Sequence, residues 1–115
     1  MTLARGTIID GLPLIPGAYN QATLTDDLTI AVGDAWIQKL DPGGSARTVT
    51  LPDNSDVAGA VFFIINAADA SEDITVEDSE GNNLLTVGQN ESGLFILSDL
   101  GAVGVCVFST TASVS

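Results

Sequence analysis

Histidine is absent from this chain, and cysteine occurs once, as Cys106. Without histidine there is no Ser-His-Asp or Cys-His catalysis and no imidazole-ligated metal. A single cysteine excludes an intramolecular disulfide framework. Flanked by Val105 and Val107 with no cation nearby, it reads as a small buried hydrophobe rather than a reactive thiol. Bases are almost as scarce: Arg5, Lys39 and Arg47 stand against fifteen acids, for a net charge of −12. Three cations cannot build the basic face that displaces counterions from phosphates, so nucleic acid is excluded as a partner. An anionic membrane surface is excluded by the same deficit. Long apolar runs are missing too. The longest, Ala60 to Ile65, falls far short of the ~20 residues of a membrane helix. Near the N-terminus, Gly6, Asp10, Gly11, Pro13 and Pro16 break up the apolar stretch that a secretory signal requires. The expectation is a soluble chain made in a cytoplasm.

What is present is apolar bulk. Hydrophobic residues make up 45 % of the 115 positions and charged ones 16 %, below the roughly 25 % usual in soluble domains. That is enough apolar area to offset chain entropy, so one folded domain is expected rather than disorder. Two parts are read: an extended arm over residues 1–23 and a domain over residues 24–115. The arm holds one acid (Asp10) and one base (Arg5), with Pro13 and Pro16 barring a regular helix through its middle. Its apolar residues follow neither a period of two nor one of 3.6. Such an arm must lie against its own domain or against another chain.

From about residue 28 onward the pattern is all-β. Leu28, Ile30 and Val32 alternate; Trp36–Leu40 follows; Asp41-Pro42-Gly43-Gly44 is strong turn chemistry. Arg47–Leu51 alternates and stops at Pro52, while Ala60–Ile65 is apolar on both faces, as in a centrally buried strand. Ile74–Asp78 and Leu84–Val87 flank a hairpin signal at Gly81-Asn82, and Gly93–Leu97 pairs naturally with Val103–Phe108. Short strands between closely spaced turns predict a single antiparallel sandwich or barrel, jelly-roll-like, carrying the extended N-terminal arm. Phe62, Phe63, Phe95 and Phe108 read as core, and Trp36 as core or as an interface anchor.

No motif assembles a catalytic set. Paired acids for glycoside hydrolysis would come from Asp26, Asp27, Asp34, Asp69, Glu72, Asp73, Glu77, Asp78, Glu80 and Glu91. Nearly all of these fall in turns or on polar strand positions, where a solvated acidic surface explains them. The loop from Asp78 fails as an EF-hand, since Asn83 stands where glycine is needed and Gln89 where the bidentate Glu is needed. Asp69-Ala-Ser-Glu72-Asp73 is an acidic cluster able to hold a cation weakly. Gly101–Gly104 lacks the lysine and helix of a phosphate loop. No enzyme, cofactor or metal is expected. Lys39 and Arg47 read as intramolecular charge partners for the acids.

The run Arg47-Thr-Val-Thr-Leu-Pro52, then Phe62-Phe-Ile-Ile-Asn66, then Val76-Glu-Asp78-Ser-Glu-Gly81 resembles a β-rich module of tailed-bacteriophage virion proteins. With the chain's size, acidity and apolar arm, it is similar to the capsid decoration, or cement, proteins. The resemblance covers roughly residues 45 to 88, and its motifs are structural rather than catalytic. It implies a virion protein on the outer capsid surface, usually a homotrimer, clamping neighbouring copies of the major capsid protein. The arm residues Leu3, Ile8, Ile9, Leu12, Leu14, Ile15 and Tyr19 would then contact the capsid protein or an adjacent decoration subunit. Because each copy carries −12, its acids must face outward and its neutral surfaces inward. A receptor- or glycan-binding module of a tail fibre is the alternative, and it would require Trp36 or Tyr19 to be exposed.

Overall fold

A computed structural model describes residues 19–31, 33–53 and 59–97, together with the backbone of Val105–Thr110. Every regular element among them is a strand: β1 (Tyr19–Thr23), β2 (Leu28–Thr29), β3 (Ile37–Asp41), β4 (Arg47–Thr50), β5 (Val61–Asn66), β6 (Ile74–Glu77), β7 (Asn83–Val87), β8 (Ser92–Leu97) and β9 (Val105–Thr110). The expected all-β class is what forms. The last five residues of the 1–23 segment are taken into the sheet as β1.

Two sheets result, in the orders β1-β3-β5-β8-β9 and β2-β4-β6-β7. The chain crosses from one sheet to the other after each of its first five strands. Same-sheet neighbours are therefore laid down in the same direction. Tyr19 lies opposite Ile37 and Ile37 opposite Phe63 in parallel register, while Leu28 lies opposite Val49 and Val49 opposite Val76. Parallel neighbours need a crossover of a dozen or more residues, usually a helix. Here the facing sheet's strand serves as the crossover. Only after the β6–β7 hairpin does pairing become antiparallel, at β6–β7, β5–β8 and β8–β9. The antiparallel, jelly-roll-like arrangement expected from the turns is thus corrected to mixed sheets. A turn residue reverses the chain equally well within one sheet or across to the next.

One core lies between the inner faces. Leu40, Phe62, Ile64, Phe95 and Leu97 from the larger sheet meet Val49, Ile74, Val76 and Val87 from the smaller, with Ile30 and Leu51 beside them. The sheets interlock closely at Gly93, where an added Cβ would fall 2.7 Å from Leu85 Cδ2 and 3.1 Å from the Phe95 ring. In β5 the expectation of burial on both faces is corrected: Phe62, Ile64 and Asn66 are buried, whereas Val61, Phe63 and Ile65 are half-buried. Of the four phenylalanines, Phe62 and Phe95 are core and Phe63 faces the other way; the Phe108 side chain lies outside the described residues.

Asn66, fully buried at the end of β5, satisfies its polar atoms from three directions. Its Nδ2 donates to Glu72 O at 2.7 Å and to Val87 O at 2.9 Å, and its Oδ1 accepts from Ala68 N at 2.9 Å. Its backbone N–H donates to Glu91 O, and its carbonyl accepts from Asn90 N. A hydrophobic residue there would strand those partners in a dry site. We expect Asn66→Ala to cost about 1–3 kcal/mol for each buried group left unsatisfied, read as a lower denaturation midpoint at unchanged m-value.

At the β3–β4 turn, Gly43 and Gly44 have φ of 79° and 99°, a region that side chains enter at a cost of roughly 1–2 kcal/mol. Gly44 has open space around it, but a Cβ on Gly43 would overlap the Leu24 carbonyl oxygen. Gly43→Ala is therefore expected to destabilise clearly more than Gly44→Ala in parallel urea titrations. Equal effects would mean that the Leu24 contact is not what requires glycine.

Candidate interaction surface

The acids are mostly occupied in building turns. Asp26 Oδ1 accepts from Asp27 N at 2.8 Å, and Asp27 Oδ1 from Thr48 N at 2.9 Å. Asp34 Oδ2 accepts from Ala31 N at 2.8 Å, Asp41 Oδ1 from Gly43 N at 2.9 Å, and Glu91 Oε1 from Gly88 N at 2.8 Å. Carboxylates used this way are acceptors for backbone donors that would otherwise go unpaired. Arg47, expected to pair with an acid, donates from Nε to Pro42 O at 2.8 Å, which holds β4 against the same turn.

Asp78 is the strongest case. Its side chain is buried in the β6–β7 hairpin, with Oδ1 accepting from Glu80 N at 2.9 Å and Asn82 N at 2.8 Å, and Oδ2 from Asn82 Nδ2 at 3.0 Å. Burial disfavours the charge. Hydrogen bonds from the Asn82 side chain, then from the N–H groups of Asn82, Glu80 and Gly81, outweigh it and hold the carboxyl below its ordinary 3.8. The loop that fails as an EF-hand is thus a hairpin closed on its own carboxylate.

Three other carboxylates converge. Oxygen atoms of Asp41, Asp69 and Glu72 all lie within 4.8 Å of one another, and Glu72 Oε1 also accepts from Gly44 N at 3.1 Å. Two members of the expected acidic cluster are present, and Asp41 replaces Asp73, whose carbonyl instead accepts from Arg47 N. Oxygen donors of this kind suit a hard cation such as calcium. Sequence spacing could not include Asp41, because parallel pairing in the larger sheet and the β3–β4 turn bring it across from a distant segment.

The most extended feature is the outer face of the five-stranded sheet. Side chains alternate along a strand, so opposite the buried Phe62, Ile64, Phe95 and Leu97 lie Val61, Phe63, Ile65, Leu94 and Ile96, all half-buried. Register sets Tyr19, Ile37, Phe63 and Leu94 in one row, with Val61 opposite Ile96 beside it. Toward the C-terminal ends of β1 and β3 the same face turns polar, with Gln21, Thr23, Lys39 and Asp41 bordering an open cleft of about 600 Å³. Tyr19, the only arm residue of the expected set among those described, is 53 % exposed at the edge of the apolar row. Leu3, Ile8, Ile9, Leu12, Leu14 and Ile15 lie outside the described residues.

Trp36 is also exposed, at 50 %, which corrects the expectation of core packing. It precedes β3 at a position where its carbonyl accepts from Phe63 N at 2.7 Å, so its backbone is held while the ring meets solvent. A second cleft of about 450 Å³ lies near this end, lined by Tyr19, Asn20, Leu28, Gly33, Asp34, Ala35 and Gln38. Its floor is rigid: Asn20 Nδ2 donates to Gln38 Oε1, and Gln38 Nε2 to Ala35 O, both at 2.8 Å.

The Asp78 turn makes a pH prediction. Because its folded pKa lies below the unfolded 3.8, its stabilisation is complete above that value and is lost as pH falls through the folded pKa. Asp78→Ala, which orphans the turn donors, should cost about 1–3 kcal/mol at pH 7, and the cost should shrink as pH falls below 3.8. A cost that does not change with pH in acid denaturation series would contradict the charge-based account.

No family model, no curated protein and no solved structure matches this chain.

Proposed function

We propose that this chain is a structural protein of a tailed-phage virion: a decoration, or cement, protein on the outer capsid surface that braces neighbouring copies of the major capsid protein. The observation that carries the reading is the apolar, nearly uncharged outer sheet face on a domain whose acids are spent on turns elsewhere. Such a face suits an assembly joint, where charge depletion rather than catalytic geometry is required. The carboxylates of Asp26, Asp27, Asp34, Asp41, Asp78 and Glu91 accept from backbone donors, which supports a structural use for them. The resemblance of the Arg47–Pro52, Phe62–Asn66 and Val76–Gly81 runs to phage virion modules supports the same reading. The buried roles of Asn66 and Asp78 account for the two polar residues of that pattern in structural terms.

The mechanism is thermodynamic. A protein that binds the assembled shell and not its separated subunits stabilises the shell by mass action, about 2.7 kcal/mol per site at a hundredfold excess over Kd. A homotrimer would multiply individually modest contacts through effective concentration.

The exposure of Tyr19 and Trp36 favours one other reading, the glycan- or receptor-binding module, in which these rings would stack on a sugar. The two readings separate in one experiment. Full-length protein is sedimented with heads of its phage assembled without it, beside Leu94→Gln/Ile96→Gln and Trp36→Ala variants. A cement role predicts that the wild type pellets with heads and raises their melting temperature, that the double variant loses both effects, and that Trp36→Ala retains them. Failure of the folded wild type to pellet at saturating concentration sinks the cement role. Binding to host cells or to a glycan array that Trp36→Ala abolishes would establish the other.

A further inference from the structure

We propose that the cleft of about 450 Å³ where β1 and β3 begin is a binding site for a neutral saccharide. The proposal is independent of the decoration role. It rests on the glycan-binding reading, to which it adds a place on the molecule and a ligand class. Three observations carry it. The first is where the exposed aromatic rings lie. Tyr19 and Trp36 are the large hydrophobic side chains that stand exposed among the described residues. They meet at one end of the fold, because register sets Tyr19 opposite Ile37, the neighbour of Trp36. Tyr19 lines the cleft, and so does Ala35, which precedes Trp36. Each ring has an apolar face and a polar tip. A pyranose offers the matching surface, a face of C–H groups with hydroxyls around its rim.

The second observation is the polar set between the rings. Asn20 and Gln38 stand opposite each other in the parallel β1–β3 pair and share the inward face with Ala22 and Leu40. Toward Leu40 that face enters the core, while toward Tyr19 it opens into the cleft, whose wall includes Leu28 of the smaller sheet. Gln38 is buried, yet its amide is only partly used. Asn20 Nδ2 donates to Gln38 Oε1 and Gln38 Nε2 to Ala35 O, which leaves each nitrogen a second hydrogen to give. Asn20 Oδ1 and Asp34 Oδ1 accept from no donor among the described residues, since Asp34 takes Ala31 N on Oδ2. Donors and acceptors side by side suit hydroxyls, which are both at once. A quaternary ammonium, the other common ligand of exposed aromatics, has no use for them.

The third is size, rigidity and charge. The volume falls within the roughly 300–1,000 Å³ of small-ligand sites. The two linked amides are already held in place, so a ligand loses little affinity to ordering them. Asp34 is the one charged residue lining the cleft, and the whole chain carries −12. Acidic sugars and sugar phosphates are therefore repelled, and a neutral sugar is the ligand that remains.

Trp36 is the single tryptophan, so its fluorescence reports on this site alone. The full chain is titrated with maltotriose, cellotriose, mannotriose and lactose, with galacturonate and choline as charged comparisons, and is then applied to an array of neutral and acidic glycans. The expected result is a saturable blue shift of Trp36 emission with a neutral sugar, together with shifts of the Asn20 and Gln38 side-chain amides in proton–nitrogen spectra. Tyr19→Ala and Trp36→Ala, both at exposed positions, should bind that sugar about tenfold more weakly by calorimetry, with far-ultraviolet circular dichroism unchanged. A response to choline or galacturonate and to no neutral sugar would overturn the proposal by ligand class. Neutral-sugar binding that leaves Trp36 emission and both amides unmoved would overturn this site while the glycan-binding reading survives. No binding of any neutral glycan, in solution or on the array, would overturn both.

Discussion

The arrangement turns on the side-chain amide of Asn66. It sits at the end of β5, where the chain leaves the larger sheet for β6. Its Nδ2 bridges the carbonyls of Glu72, ahead of β6, and Val87, at the end of β7, while its Oδ1 fixes Ala68. Its backbone holds Asn90 and Glu91, the turn that leads into β8. One buried residue thus positions the crossover out of the larger sheet, the last strand of the smaller sheet and the turn that returns the chain. A buried amide tolerates only a geometry that satisfies donors and acceptor together, and this is why it specifies where three segments meet.

The same logic explains how a chain with so many acids folds compactly. Asp27 reaches Thr48 N, Glu72 reaches Gly44 N, and Asp78 closes its own hairpin. Carboxylates gathered at turns satisfy backbone donors, and the row Tyr19, Ile37, Phe63 and Leu94 carries no charge. Acidity and an apolar surface are therefore not in conflict. They occupy different parts of the molecule for a single reason, namely that strands demand apolar or β-branched side chains while turns demand acceptors.

Placing charge at the turns leaves an apolar row on the outer face of the larger sheet. Tyr19 and Trp36 flank that face where β1 and β3 begin, and Lys39 with Asp41 marks its polar limit.

Much of the secondary structure was legible in the sequence. Alternation marked β4, Gly81-Asn82 marked the β6–β7 hairpin, and the pairing of β8 with β9 followed from a short connection. These are local properties, governed by side-chain period and turn chemistry. Strand direction, by contrast, was decided by tertiary structure. The turn at Asp41–Gly44 says that the chain reverses, but only burial of both inner faces in one core decides that it crosses to the other sheet. The same holds for Trp36, apolar by type yet placed where the sheet ends, and for Ala60–Ile65, apolar on both faces yet buried on one. It holds for Asp41 as well, which joins Asp69 and Glu72 through the parallel pairing of β3 with β5 and the β3–β4 turn. Sequence period records which residues share a face; only packing determines what that face meets.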